Sequence, residues 1–200
     1  MPEVTRDPQA YLREVRQCLD ELERQDLPRV VQTLHEAYTR GASVHVMGNG
    51  GSASTASHMT THLQEGWDGQ GTGGLRAVCL TDNISRLTAV ANDVSYEAVF
   101  TTQLKGMLHR GDVVVLISGS GNSPNVVNAA RMAKESGAVV IALTGFGGGK
   151  LHGLADCGIM FSSRHYGPVE DVHLTLAHLV PQLLRARIQD AQGTRPPAAG

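Results

Sequence analysis

The hydrophobic positions of this chain change period near residue 43. Before that point they recur at helical steps: Leu12, Val15, Leu19 and Leu22 form one stripe, and Val30, Val31, Leu34 and Tyr38 a second. Pro28 restarts the chain between the stripes and Gly41 stops the second, so two helices are expected ahead of the first strand. From residue 43 onward, short Val- and Ile-rich runs alternate with helical patterns. Strands are expected at 43–47, 76–80, 112–117, 138–142 and 157–161, and helices near 52–65, 83–90, 95–108, 123–136 and 168–188. Buried apolar runs separated by helices imply a five-stranded parallel sheet with helices on both faces, an α/β doubly wound architecture. Its crossovers should be right-handed, and ligands should sit beyond the carboxyl ends of the strands. No internal repeat is evident.

Two expected strands run directly into glycine-serine loops. Val44-His45-Val46-Met47 leads to Gly48-Asn49-Gly50-Gly51-Ser52-Ala53, and Val113-Val114-Val115-Leu116-Ile117 leads to Ser118-Gly119-Ser120-Gly121-Asn122-Ser123. Glycines let the backbone turn with its N–H groups inward, serines add hydroxyl donors, and a helix that starts there presents its positive end to an anion. Two such loops at one sheet edge point to a phosphorylated ligand.

Composition narrows the class without naming a chemistry. The chain has 200 residues and suits a single domain, with its helical pair at 1–42, its α/β core at 43–188 and a polar, proline-containing tail at 189–200 expected to lack order. It is 41% hydrophobic but only 4% aromatic, so the core must be built from aliphatic residues. A formal net charge of −2 gives no bulk electrostatic reason for a nucleic-acid or membrane partner. Three scattered cysteines, Cys18, Cys79 and Cys157, read as reduced core residues. With no apolar signal core in the first residues and no run long enough to span a bilayer, a cytoplasmic location is expected. The glycine-rich stretch Gly66-Trp67-Asp68-Gly69-Gln70-Gly71-Thr72-Gly73-Gly74 has the composition of a mobile loop.

His58 and His62 stand four apart on the helix after the first loop, so both rings project from one face. That spacing suits a shared divalent metal, and equally a partly exposed helix face.

The ordered set Gly48-Asn49-Gly50-Gly51-Ser52-Ala53, Ala91-Asn92-Asp93, Ser118-Gly119-Ser120-Gly121-Asn122-Ser123, Leu143-Thr144-Gly145 and Gly148-Gly149-Lys150 resembles the sugar isomerase (SIS) fold. Within that family the chain most resembles the sedoheptulose 7-phosphate isomerase (phosphoheptose isomerase) branch, over roughly residues 8 to 188. The resemblance implies a phosphorylated sugar substrate, an aldose–ketose isomerisation through an enediol, no organic cofactor, and a homotetramer whose N-terminal helices pack between subunits. Docking of those helices on the chain's own sheet is the alternative. The resemblance also assigns residues. Asn49, Gly50, Gly51, Ser52, Ser118, Gly119, Ser120 and Ser123 would bind the phosphate end, and Asn92 and Asp93, ahead of a helix, would contact the sugar.

Departures from the family pattern fall at the reacting end. His58 matches the family's metal-binding histidine, but His62 stands where the family has Glu; Glu170 replaces a Gln, while His178 keeps its place. Gly119 replaces the usual Thr, removing a hydroxyl and suggesting a wider pocket. The segment before Glu170 is shorter than usual and lacks the family's Arg. The expected active site is therefore divergent: His62 and His178 as the proton-transfer pair, and His58, His62, Glu170 and His178 as a three-histidine, one-carboxylate set for a divalent metal such as zinc. Glu170 also counts among the substrate-binding residues. His173 is the spare histidine of the last helix, and Lys150 is either a phosphate partner or a solvated lysine. The rival reading is a non-catalytic SIS protein that binds a sugar phosphate or a protein partner such as a replication initiator, since relatives lacking the Glu serve that role.

Overall fold

The computed structural model describes residues 7–65 and 73–193. Most of the glycine-rich stretch and the last seven residues lie outside them. Two helices come first, α1 (Pro8–Leu22) and α2 (Leu27–Arg40). The Asp7 and Asp26 side chains cap them by accepting from the backbone N–H groups of Gln9 and Arg29, proline occupies the first turn of each, and Gly41 closes α2 at φ 65°. Then follow β1 (Ser43–Gly48), α3 (Gly51–Gln64), β2 (Arg76–Cys79), α4 (Ile84–Asp93), a 3-10 turn (Tyr96–Ala98), α5 (Thr101–Leu104), β3 (Val113–Ser118), α6 (Pro124–Glu135), β4 (Val139–Thr144), α7 (Gly149–His152), β5 (Cys157–Met160) and α8 (Tyr166–Gln192).

All five strands are parallel, in the order β2-β1-β3-β4-β5. The chain winds outward from β1 to β2, then returns to the other side of β1 and winds the opposite way. The switch point thus lies between β1 and β3, where crevices form at the carboxyl edge of such sheets. Side chains alternate between two cores. Val113, Val115 and Ile117 face α1, α2, α3 and α8, while Val114 and Leu116 face the layer of α4 to α7. Each fully buried aliphatic side chain in these layers contributes roughly 1.5–3 kcal/mol.

The helical stripes before β1 divide in use. Val30, Val31 and Leu34 are buried in the chain's own core, as are Cys18 and Leu22, whereas Leu12 and Leu19 stay 43% and 37% exposed. Docking on the chain's own body therefore accounts for α2 and only half of α1. The expected helix over 95–108 is broken in two: Val99 and Phe100 are both fully buried, so the chain turns inward between the 3-10 turn and α5 instead of holding one amphipathic face outward. The last helix is longer than expected, starting at Tyr166 and running to Gln192, into the segment expected to lack order. The cysteines are free. Among the described residues, no helix is long and apolar enough to cross a membrane.

Two buried histidines carry polarity into the core. His45 Nε2 meets the Asp112 carboxylate at 3.3 Å, and that carboxylate also accepts from the N–H groups of Ser43 and His109. His173, on α8, is fully buried beside Phe161, and its ring nitrogens have no hydrogen-bond partner among the described residues. It belongs to the core. Burial pushes its pKa down to about 4, against a weaker opposing effect of the Thr144 backbone. Burial lowers His45 as well, partly offset by Asp112.

A histidine with a depressed folded-state pKa stays neutral while the unfolded chain takes up a proton, so stability falls as pH drops below about 6.5. For His173 the loss continues down to about pH 4 and reaches roughly 3 kcal/mol. Thermal denaturation should therefore show a melting temperature that declines between pH 7 and pH 4.5, with a clearly shallower decline in His173→Leu. An equal slope in that variant would assign the acid sensitivity elsewhere.

Candidate functional site

Both glycine-serine loops lie at the switch point and face one another. In the first, Gly50 adopts φ 54°, and a Cβ on Gly51 would collide with the Glu170 carboxylate, so the start of α3 and the first turn of α8 touch only because residue 51 has no side chain. In the second, Gly121 sits at φ 63° against the backbone of Gly148. The Ser118 and Ser120 hydroxyl oxygens accept from the N–H groups of Gly121 and Asn122, which leaves each O–H to donate outward. Together the loops enclose a cavity of about 270 Å³ lined by Asn49, Gly50, Gly51, Ser52, Ile117, Ser118, Gly119, Ser120, Ser123, Tyr166 and Glu170. The structure thus gathers nine of the expected substrate-binding residues.

A polar bracket ties the loops together. Asn49 and Asn125 exchange reciprocal amide hydrogen bonds of 2.9 Å, and the Tyr96 hydroxyl donates to Asn49 Oδ1 at 2.9 Å. Asn125 is almost fully buried and spans the gap from α6 to the first loop.

The second part of the site lies two turns along α3. His58 Nε2 is 3.1 Å from His178 Nε2 and 3.2 Å from His62 Nε2, and one nitrogen of each ring falls within 4.8 Å of the others. Desolvation and the two neighbouring imidazoles hold the His58 pKa below its ordinary value, which favours the neutral, ligating form. The Glu65 carboxylate lies 3.2 Å from His62 Nδ1, so it fixes the tautomer that leaves Nε2 with its lone pair toward the cluster. Glu65 does not join the cluster; it orients His62 from outside it. A polar groove lined by Ser54, Ser57, His58, Thr61, Thr81 and Asp82 opens beside the cluster.

Three expectations are corrected by this geometry. Glu170 does not join the three histidines; its carboxylate sits over Gly51 in the cavity between the two loops, because eight helical residues separate it from His178 by ~12 Å. Burial first, and Asp171 second, raise its pKa. Asn92 and Asp93 close α4 instead of opening a helix, are exposed, bond to each other at 2.8 Å, and do not line the cavity. The missing side chain at Gly119 does not widen the pocket, since the Tyr166 ring occupies that space. Lys150 is exposed. Sequence reasoning also missed Tyr96, Asn125 and Tyr166, none of which carries a local signal. Glu65, three residues after His62 on the same helix, reads in the sequence only as a poor stand-in for the family's Glu, and its contact with His62 Nδ1 emerges from the structure.

Comparison with known proteins identifies the family. Residues 10–145 match the SIS domain family. A phosphoheptose isomerase from Geobacter sulfurreducens is 37% identical over 182 residues, covering 90% of this chain and 96% of the relative. Another from Nitratidesulfovibrio vulgaris is 40% identical over 162 residues, covering 80% of this chain and 77% of the relative. Among solved structures, a phosphoheptose isomerase from Neisseria gonorrhoeae superposes with a TM-score of 0.78 at 29% identity, covering 89% of this chain and 94% of that one. The sheet order, the paired loops at its switch point and these matches lead to one assignment: the chain belongs to the SIS domain family, within its phosphoheptose isomerase branch.

Proposed function

We propose that the chain is an aldose–ketose isomerase acting on a phosphorylated heptose or a related long-chain sugar phosphate, with a divalent metal, most simply zinc, at His58, His62 and His178. One observation carries the reading: α3 and α8 run in parallel with the phosphate cavity at their amino ends, where Gly51 meets Glu170, and the imidazole cluster further along, where His58 meets His178. Seven residues on α3 and eight on α8 separate the two, ~10–12 Å. That is the reach of an extended seven-carbon chain bound by its phosphate.

The histidines suit a metal. A tetrahedral ion with nitrogen ligands at ~2.0–2.1 Å holds those nitrogens a little over 3 Å apart, and His58 Nε2 lies 3.1 and 3.2 Å from its neighbours. Three ring nitrogens so close cannot all be satisfied by one another, because His58 Nε2 carries either one hydrogen or one lone pair. When bound, a divalent ion supplies Lewis acidity toward the substrate's carbonyl and hydroxyl oxygens.

The chain's own residues do the rest. Ser118, Ser120 and Ser123, with the backbone N–H groups of both loops, hold the phosphate and so fix the reactive carbons. Glu170 accepts from sugar hydroxyls along the way. A ring nitrogen that holds the ion cannot also carry the proton between C1 and C2; with His62 engaged at both Nε2 and Nδ1, that role falls to His178 through a nitrogen left off the ion. The exposed Leu12 and Leu19 of α1, with Leu174 and Leu183 of α8, fit a homotetramer that would cover them.

Ser120→Ala and Ser123→Ala should each raise the Michaelis constant for sedoheptulose 7-phosphate about tenfold or more, because a hydrogen bond to a charged group is worth ~1.5–3 kcal/mol. The melting temperature should hardly move; unchanged affinity in both variants would defeat the cradle.

His62→Ala should lose bound metal and at least ~100-fold in turnover while still binding inorganic phosphate. Metal analysis of the purified protein and isomerase kinetics read this directly. A wild type without metal and without turnover would instead support the non-catalytic reading, and a gain of activity in His62→Glu would mark a decayed isomerase.

A further inference from the structure

Gly119, in the second loop, is flanked by two aromatic rings. A Cβ placed on it would lie 2.8 Å from Cδ1 and 2.9 Å from Cε1 of Tyr166, and 4.0 Å from Cε2 of Phe146. The two rings pack on each other with centroids 4.7 Å apart. Contact at 2.8 Å is closer than any real side chain tolerates, so Tyr166 in this position and a side chain at residue 119 exclude one another.

Tyr166 is held in place from several directions. Its neighbour His165 bonds Glu14 Oε2 through Nδ1 at 2.5 Å, and the same carboxylate accepts from the Ser163 hydroxyl at 2.7 Å. The next residue, Gly167, presses on the Tyr11 ring, and the Tyr11 hydroxyl donates to Asp171 at 2.7 Å. Phe146 adopts φ 53°, a left-handed conformation that costs a non-glycine residue on the order of 1 kcal/mol, and its N–H donates to the Ser163 carbonyl at 2.9 Å. Such strain persists only where surrounding packing enforces it. Yet Tyr166 keeps 44% of its surface exposed, lines the cavity, and its hydroxyl makes no hydrogen bond to a described residue. A ring this firmly positioned with this much open surface is available to a ligand.

We propose that Tyr166 is a specificity-determining residue of this site, whose ring, seated over Gly119, forms the wall that contacts the carbon chain next to the ligand's phosphate. The proposal rests on reading the cavity as a sugar-phosphate site. The anion itself is served by the serine hydroxyls and backbone N–H groups, whereas an aromatic face suits the C–H surface of a sugar and a phenol suits its hydroxyls. Gly119 is then the permissive partner: its missing side chain is what lets the ring enter.

Calorimetric titrations of the full chain and its variants with sedoheptulose 7-phosphate and with inorganic phosphate test this. Tyr166→Ala should weaken the sugar phosphate about tenfold and change inorganic phosphate less than twofold, and Tyr166→Phe should fall between wild type and Tyr166→Ala for the sugar phosphate. Gly119→Thr should expel the ring, giving a similar loss of sugar-phosphate affinity and a lower melting temperature. In Gly119→Thr/Tyr166→Ala the melting temperature should recover relative to Gly119→Thr, and the affinity losses should not add. Equal losses for both ligands, no loss for either, additive losses in the double variant, or no binding by the wild type would each overturn the proposal. Tyr166-dependent binding without turnover would leave it standing and remove the isomerase reading; turnover indifferent to Tyr166→Ala would do the reverse.

Discussion

The parallel packing of α3 on α8 is the constraint on which the rest of the site depends. These helices are far apart in sequence, and neither carries a complete set of groups. Gly51 allows them to touch at their amino ends, where the absent Cβ leaves room for the Glu170 carboxylate. From that contact the two helices advance together, so that His58 and His178 meet two turns later with their ring nitrogens 3.1 Å apart. The spacing between anion site and imidazole cluster is thus set by helix rise, a rigid ruler of 1.5 Å per residue, and not by a loop. Sites built on helices hold their geometry better than sites built on loops.

The sheet determines what the ruler is aligned to. Because the strand order reverses between β1 and β3, the loops that follow these two adjacent strands diverge to opposite faces, one into α3 and one into α6. The crevice between them is then bridged by the Asn49–Asn125 amide pair, which makes the two loops one unit. An amide bridge of this kind, buried on the Asn125 side, rigidifies its surroundings, since leaving a buried partner unsatisfied costs ~1–3 kcal/mol.

Much of this was legible in the sequence because it is local. The strands at Val44 and Val113 and the loops after them are contiguous patterns, and their glycines are required by backbone geometry at Gly50 and Gly121. The His58–His62 pair follows from helical periodicity alone. What escaped detection depends on contacts across the chain. Nothing in the local pattern of Asn125 shows that it faces Asn49, and nothing near Tyr166 shows that Gly119 yields it space. The Glu170 metal assignment has the same origin: resemblance placed it at the reacting end, but only the tertiary arrangement shows that its carboxylate lies over Gly51, away from the three histidines. Asn92 and Asp93 read as a helix start because their own side chains suit a cap, whereas α4 in fact extends through Asp93.

Exchanging the family's Glu for His62 changes the electrostatics of the reacting end. A carboxylate ligand would neutralise part of a divalent charge, while three imidazoles leave it whole, so the cluster would draw the substrate's oxygens more strongly. The nearest compensating charge is Glu65, which acts through His62 Nδ1 instead of on the cluster itself. At the other end, Glu170 is a carboxylate lining the cavity proposed for the phosphate, and burial already raises its pKa. A phosphate dianion beside it would raise that pKa further. The two departures from the family pattern would therefore act in opposite directions: loss of a carboxylate at the imidazole cluster would leave a bound ion more attractive to oxygen ligands, whereas a carboxylate in place of a neutral amide at the other end would disfavour an anion there unless it takes up a proton.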